Sequence, residues 1–515
     1  MKTLSLSNTI LAGGLLAAAL TLASCDSKFE DYNTNPNTPT NATPAMLATN
    51  CLRSLWPTFT EKKGYMRDEM LCKYISWTEA NDIDLAFNKL GRADFSDMTM
   101  LYNVNKMVNK ASTERLRNGY DGVGHVIRAL KLFDLSLKVG DIPYSEAFRG
   151  EEGIIAPVYD SQRDVMLGLL NELETADKEL QDADDISGDI VYGGDVDKWR
   201  KAANTLELKI LINLYRHADD AELNVKGRFQ NIVSSKPIFE SNADNLQLVH
   251  SDKSGQKPEF YKEGNNYMQY IQITSEVVDT LKAFADRRLF YYAQPTPNAV
   301  KSGMSASSWD AYEGVEATLP EEDIQKAVGE GKVSQTNNRY TNDVVGEPSV
   351  LLSYAEMKFV LAEACVRGLI SGDARQYYAD GIKAAMRFTA DNTADEADYH
   401  HGMSIDDSYI DAYLNNANVA LPSSDEGKIE KIIVQKYLAT FMQQPYNAYY
   451  EWRRTGWPRM PVNPLSNRNE PTDKMPLRWM YPQDEYDHNS DNVKAAVESQ
   501  YAGSDDWNQT MWLLK

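Results

Sequence analysis

Apolar residues return at helical intervals along most of this chain. Between 160 and 181, Val165, Leu169, Leu173, Ala176 and Leu180 fall on one stripe, the spacing of a helix that buries one face. In 351–366, Tyr354, Met357, Leu361 and Ala364 recur in the same way, and 196–217 and 427–443 read alike. No stretch alternates at period two over any length, so the pattern predicts a mainly α protein.

Small and aromatic residues are paired on several of these helices. Ala129/Phe133, Ala355/Phe359 and Ala384/Phe388 reproduce the Ala-x3-Phe element of tetratricopeptide repeats, in which a small side chain lets helices approach and a ring fills the adjoining gap. No fixed period of about 34 residues survives along the chain, so the expectation is of irregular helix pairs. Two regions break the pattern. Residues 78–98 form one, and the long polar stretch 250–348 forms the other. The second carries Tyr261, Tyr267, Tyr270, Tyr291, Tyr292, Trp309, Tyr312 and Tyr340, too many aromatics for simple disorder. Loops this long are usually functional.

The first residues add an address. Lys2, the apolar run Ile10–Leu22 and the sequence Leu22-Ala23-Ser24-Cys25 read as a lipoprotein signal peptide over residues 1–24, with Cys25 as the lipidated residue. Residues 25–43, rich in Asn, Thr and Pro, read as a lipidated flexible tether, and 44–515 as one helical domain. Net charge is −22, which argues against nucleic acid and against a broad basic membrane face. Beyond Cys25 only Cys51, Cys72 and Cys365 remain. That excludes a disulfide framework and leaves open a Cys51–Cys72 bridge or three buried thiols.

Candidate chemistry is sparse. No nucleophile elbow, zinc-protease helix or phosphate-binding glycine loop is present, and no Cys/His cluster has zinc spacing. Asp182–Asp189 resembles a calcium loop, but position twelve is Gly193 and not the Glu an EF-hand requires, so a solvated turn is expected. No catalysis and no cofactor are expected, and an adventitious calcium ion elsewhere is left open.

Several ordered segments are familiar. They are Val139-Gly140-Asp141-Ile142-Pro143-Tyr144-Ser145-Glu146-Ala147, then Gly193-Gly194-Asp195 with Lys198-Trp199-Arg200 and Ala203-Asn204. Ala362-Glu363-Ala364 and Gln435-Lys436-Tyr437 follow, with Glu451-Trp452-Arg453-Arg454-Thr455-Gly456, Pro476-Leu477-Arg478 and Tyr481-Pro482 before Glu485. On these segments the chain resembles the SusD/RagB family of nutrient-binding outer-membrane lipoproteins, in its SusD-like subgroup. The resemblance implies a single large domain with about four TPR-like helix pairs and an irregular, loop-rich ligand-binding half. It also implies a cell-surface position on the outer membrane of a Gram-negative bacterium, over a SusC-like TonB-dependent transporter. Its ligand would be oligosaccharide, with peptide binding or a gating lid as alternatives.

The charged motif residues Glu451, Arg453, Arg454, Arg478 and Glu485 read as scaffold locks, since forked arginine–carboxylate bonds fix geometry. Sugar binding calls for flat rings beside polar groups. Trp77 with Asn81, Asp82 and Arg92 supplies those residue types in one loop, and Trp309 with Tyr312 is the expected opposing wall.

Overall fold

The computed structural model describes residues 42–56, 64–78, 84–263, 270–444 and 446–515. The expected signal peptide, Cys25 and nearly all of the tether lie outside these residues, as do Asn81 and Asp82. Among the described residues no helix is long and apolar enough to cross a membrane.

Helices dominate because the apolar stripes are followed closely. The chain enters through α1 (Pro44–Arg53), α2 (Gly64–Leu71) and α3 (Leu101–Asn109). Four helix pairs follow: α4 (Glu114–Val139) with α5 (Gln162–Gln181), α6 (Val196–Asn213) with α7 (Val225–Ser235), α8 (Tyr354–Val366) with α9 (Ala374–Asp391), and α10 (Asp425–Ala439) with α11 (Asn447–Thr455). Each pair packs internally. Successive pairs touch through α5 against α6, α6 against α8, and α8 against α10, so one curved scaffold runs through the molecule. All five stripe residues of 160–181 are buried. The run 196–217 is helical as far as Asn213 and finishes in a 3-10 turn, Tyr215–His217.

The helix starts are set by side chains that complete orphan backbone N–H groups. Thr113 accepts from Leu116 N, Ser161 from Asp164 N, Asp195 from Lys198 N, Ser353 from Glu356 N and Ser424 from Gly427 N. The small-against-ring arrangement is realised between α8 and α9. A Cβ built at Gly381 would lie 2.7 Å from the Phe359 ring, so only glycine lets these helices come together without displacing the ring.

Three short antiparallel ladders stitch the irregular half onto the scaffold. β1 (Ile75–Trp77) pairs with β5 (Ile271–Ile273), β2 (Ile142–Pro143) with β3 (Tyr159–Asp160), and β4 (Leu246–Leu248) with β6 (Ser349–Leu352). β4 leaves the second helix pair and β6 enters the third. Residues 249–348 are therefore an insertion whose two ends are clamped side by side.

The charged segments expected to lock the scaffold do so. The Lys436 ammonium lies 2.8 Å from Glu451 and 3.2 Å from Glu356. Arg454 meets Glu451 and, at 2.7 Å, Glu363. The lysine, the arginine and the three carboxylates are buried, and Arg454 and Lys436 hold the Glu451 carboxyl down to about 2 against the opposing effect of burial. Arg453 donates to the Leu137 and Leu477 carbonyls. Arg478 pairs with Asp505 at 2.9 Å, and Glu485 accepts from the Tyr159 hydroxyl at 2.7 Å. The chain end closes on the first pair: Leu513 N donates to the Gln162 amide oxygen at 2.9 Å, and Trp512 stacks on His217 at 3.8 Å. Cys51, Cys72 and Cys365 are all free thiols. Burial pushes the Cys51 thiol up to about 11, which makes it a packing residue and not a nucleophile.

Candidate functional site

Scaffold and insertion leave a cavity of about 890 Å³ between them, a volume suited to a small organic ligand. Leu130, Phe133 and Leu137 of α4 and Leu206 and Lys209 of α6 form the scaffold wall. Phe260 and Tyr340 of the insertion, Leu248, Val350 and Leu351 of the β4–β6 ladder, and Tyr446 and Tyr450 line the rest. The lip is readable from exposure. Ile190 and Val249, 36% and 63% exposed, are large apolar side chains facing water, and both line the cavity.

The ring edges are already satisfied by protein. Trp56 donates its indole N–H to the Ser349 carbonyl at 2.9 Å, Tyr450 donates to Asp134 at 3.0 Å, and Tyr446 donates to Asp68. Charges in the wall are paired as well, Lys138 with Asp134 at 2.7 Å and Arg339 with Glu347 at 2.8 Å. Burial acts to raise the Asp134 carboxyl, yet Lys138 and the Tyr450 hydroxyl overcome it and hold the group below its ordinary range. Two polar atoms are left over. Glu69 Oε2 and Asn447 Nδ2 are buried without a hydrogen-bond partner, and both residues line the cavity. Burial, helped by the Asp68 charge and only partly offset by the Met442 backbone, pushes the Glu69 carboxyl well above its ordinary range. A neutral Glu69 can both donate and accept. Buried groups of this kind are rarely left unpaired, so the cavity suits a ligand with hydroxyl or amide groups.

The residues expected from sequence fall elsewhere. Trp77 sits in β1, opposite Ile271, almost completely buried and edge-on to Tyr270 at 5.5 Å. Tyr312 is fully buried; its hydroxyl donates to the Ala306 carbonyl at 2.6 Å, and its own carbonyl accepts from Lys282. Neither ring presents a face to solvent, so as stacking platforms they are corrected to wall-building residues. Trp309 opens a 3-10 turn, packs edge-on against Phe290 at 4.7 Å and stays half-exposed. Trp77 and the 309–315 segment are brought together through β5, because Thr274 bridges to Val315. Arg92 belongs to a different neighbourhood. It bridges to Met480, donates to the Tyr481 carbonyl at 2.6 Å and pairs with Asp505 at 3.2 Å.

The calcium-like loop is accounted for by internal bonding. Asp189 accepts from the backbone of Val191, Tyr192 and Gly194 and from the Trp199 indole at 2.8 Å. Asp184 pairs with Arg115 at 2.7 Å. These carboxylates are occupied in holding the entrance to α6.

A family model for SusD-like proteins, described as starch-binding and associating with the outer membrane, matches residues 36–482. The chain belongs to the SusD-like family. Among solved structures, a SusD homologue from Bacteroides fragilis is 43% identical, with a TM-score of 0.89 over 92% of this chain and 100% of its own. A candidate nutrient-binding outer-membrane protein from Bacteroides vulgatus is 34% identical, with a TM-score of 0.82 over the same shares. A chitin-binding SusD homologue from Flavobacterium johnsoniae shares the fold at 19% identity, with a TM-score of 0.71 over 92% of this chain and 98% of its own. No curated protein matches the chain. In this SusD-like protein the segments that carried the family resemblance are interior wiring. Gln435 accepts from Arg288 at 2.8 Å, Lys436 bridges two carboxylates, and Tyr437 stacks on Tyr74 at 4.3 Å.

The cavity-lining residues were missed because nothing local joins them. Trp56, Tyr340 and Tyr446 are hundreds of residues apart and share no motif. The only signal in the sequence is the aromatic richness of 250–348, which includes Tyr340 but not the other two.

Proposed function

We propose that this protein is a non-catalytic surface lipoprotein, anchored through Cys25, that captures oligosaccharide in the cleft between scaffold and insertion. It would then pass the ligand to a SusC-like TonB-dependent transporter. The observation that carries the reading is the cleft itself. Aromatic rings surround two buried polar atoms, Glu69 Oε2 and Asn447 Nδ2, that have no protein partner. Sugars offer apolar C–H faces for rings and hydroxyls for such atoms. Family membership and the outer-membrane association of the family support the same reading.

A glycan-array screen with a peptide library alongside tests it, using the wild type, Val249→Trp and Trp309→Ala. A defined glycan bound by the wild type and lost in Val249→Trp, which fills the lip, supports the cleft. Loss in Trp309→Ala alone would move the site to the 309–315 wall. Peptide hits without glycan hits would overturn the sugar reading. Cys25→Ala should release the protein from the membrane fraction.

A further inference from the structure

The contact between α4 and α5 places three metal-ligating groups on one spot, away from the cleft. Asp121 and His125 stand one turn apart on α4, and Glu179 faces them from α5. One ligand atom from each lies within 4.8 Å of the other two. His125 Nε2 is 3.8 Å from Asp121 Oδ1 and 3.7 Å from Glu179 Oε2. Ligands of a tetrahedral zinc ion with bonds of about 2.0–2.2 Å sit roughly 3.4 Å apart, so the histidine–carboxylate spacings need only a few tenths of an ångström. The approach is built into the backbone. A Cβ at Gly122, beside Asp121, would lie 2.5 Å from Leu180, beside Glu179. Glycine at this position is what lets the two helices bring their ligands together.

Two further observations separate this cluster from ordinary surface charge. Glu179 Oε2, the atom facing His125, is buried and accepts no hydrogen bond. The far nitrogen of the ring is already committed: His125 Nδ1 lies 3.0 Å from Glu172 Oε2. A carboxylate there only accepts, so a metal at Nε2 would find Nδ1 already donating to Glu172. That is the carboxylate–histidine arrangement that orients metal-bound imidazoles. Glu172 is itself held by Arg128 at 2.9 Å and by the Tyr144 hydroxyl at 2.6 Å. Arg128 makes its hydrogen bonds to Glu172 and Asn105, and its charge reaches Glu179 only through space.

We propose that Asp121, His125 and Glu179 bind a divalent transition metal of the zinc class, pinning α4 to α5 with one coordination position open to solvent. One nitrogen and two carboxylate oxygens favour zinc over calcium or magnesium, which take six or more oxygen ligands or keep several waters.

The test is thermal unfolding and isothermal titration of the full-length protein in detergent with zinc, calcium or magnesium alone. Zinc is expected to bind at one site per chain and to raise the melting temperature by about 2 °C or more at saturating concentration. Calcium and magnesium should leave it unchanged. Glu179→Gln and His125→Ala should abolish the shift, and Glu172→Gln should weaken zinc binding by about tenfold or more. Glu179→Gln keeps size and polarity, so it carries the test if His125→Ala fails to fold. An absent zinc shift in the wild type, an equal shift in Glu179→Gln, or a calcium effect as large as that of zinc would each overturn the proposal.

Discussion

The scaffold and the insertion both fix buried polar groups, the scaffold through a linked network of charges and the insertion through separate pairs and carbonyl contacts. In the scaffold, side chains satisfy side chains across long sequence distances, as Lys436 does with Glu356 and Glu451 and Arg454 with Glu363. In the insertion, the side-chain pairs Arg288–Asp286 and Arg339–Glu347 are joined by side chains that reach backbone. Tyr312 donates to the Ala306 carbonyl, Lys282 to the Tyr312 carbonyl, Asn298 to the Glu330 carbonyl and Asn337 to the Phe290 carbonyl. A carbonyl is supplied by any residue, whereas a glutamate facing an arginine is not replaceable. The charged pairs of the scaffold therefore show as motifs, while the carbonyl-capping positions of the insertion carry no such signature.

The largest loss should come from Arg454→Ala, which leaves Glu451 to Lys436 and Glu363 to Arg367 and breaks the link between them in the core. Removing one partner of a buried pair costs about 3–5 kcal/mol, and urea unfolding should read it. A loss under about 1 kcal/mol would show that the network is not what locks the helices.

Glu207 sharpens the comparison through pH. It is fully buried on α6, about as far from Lys236 as from Arg228 (3.7 Å each), and takes no hydrogen bond. Burial raises its carboxyl to about 7, with the Lys236 charge only partly compensating. The folded state holds this proton where the unfolded chain releases it. Its contribution to stability is thus fully present at pH below about 4.5 and is lost as pH rises to about 7. Glu207→Gln should flatten that slope, gaining up to about 3 kcal/mol on the wild type by pH 8; parallel curves would place the proton elsewhere.

Gly381→Val, which drives a side chain into Phe359, should cost about 1–3 kcal/mol. Tyr312→Phe in the insertion should cost only about 1 kcal/mol, one hydrogen bond to a carbonyl. Smallest of all, Val249→Trp at the exposed lip should move stability by less than about 0.5 kcal/mol while blocking the cleft in a binding assay.

Legibility in the sequence follows the same division. The stripe Val165–Leu180 and the Glu451–Arg454 lock could be read because each is local or carries a charged signature. Trp77 and Tyr312 have the residue types of a sugar site, but a tyrosine with a carbonyl to donate to packs inward as readily as outward, and composition cannot tell the two apart. The cleft depends on Trp56 and Tyr446 meeting across the fold, a juxtaposition that exists only in three dimensions. The Asp121–His125–Glu179 cluster carries no sequence motif; it exists because Gly122 lets α4 approach Leu180 of α5.

The closing of the chain end over the first helix pair has a consequence for the order of synthesis. Gln162 and His217 receive their partners, Leu513 and Trp512, only when the last residues have been made. Arg478 likewise awaits Asp505. A chain that stops short of residue 505 therefore leaves Gln162, His217 and Arg478 without these partners. A cut near residue 510 is thus felt about 300 residues away in sequence, at Gln162 and His217.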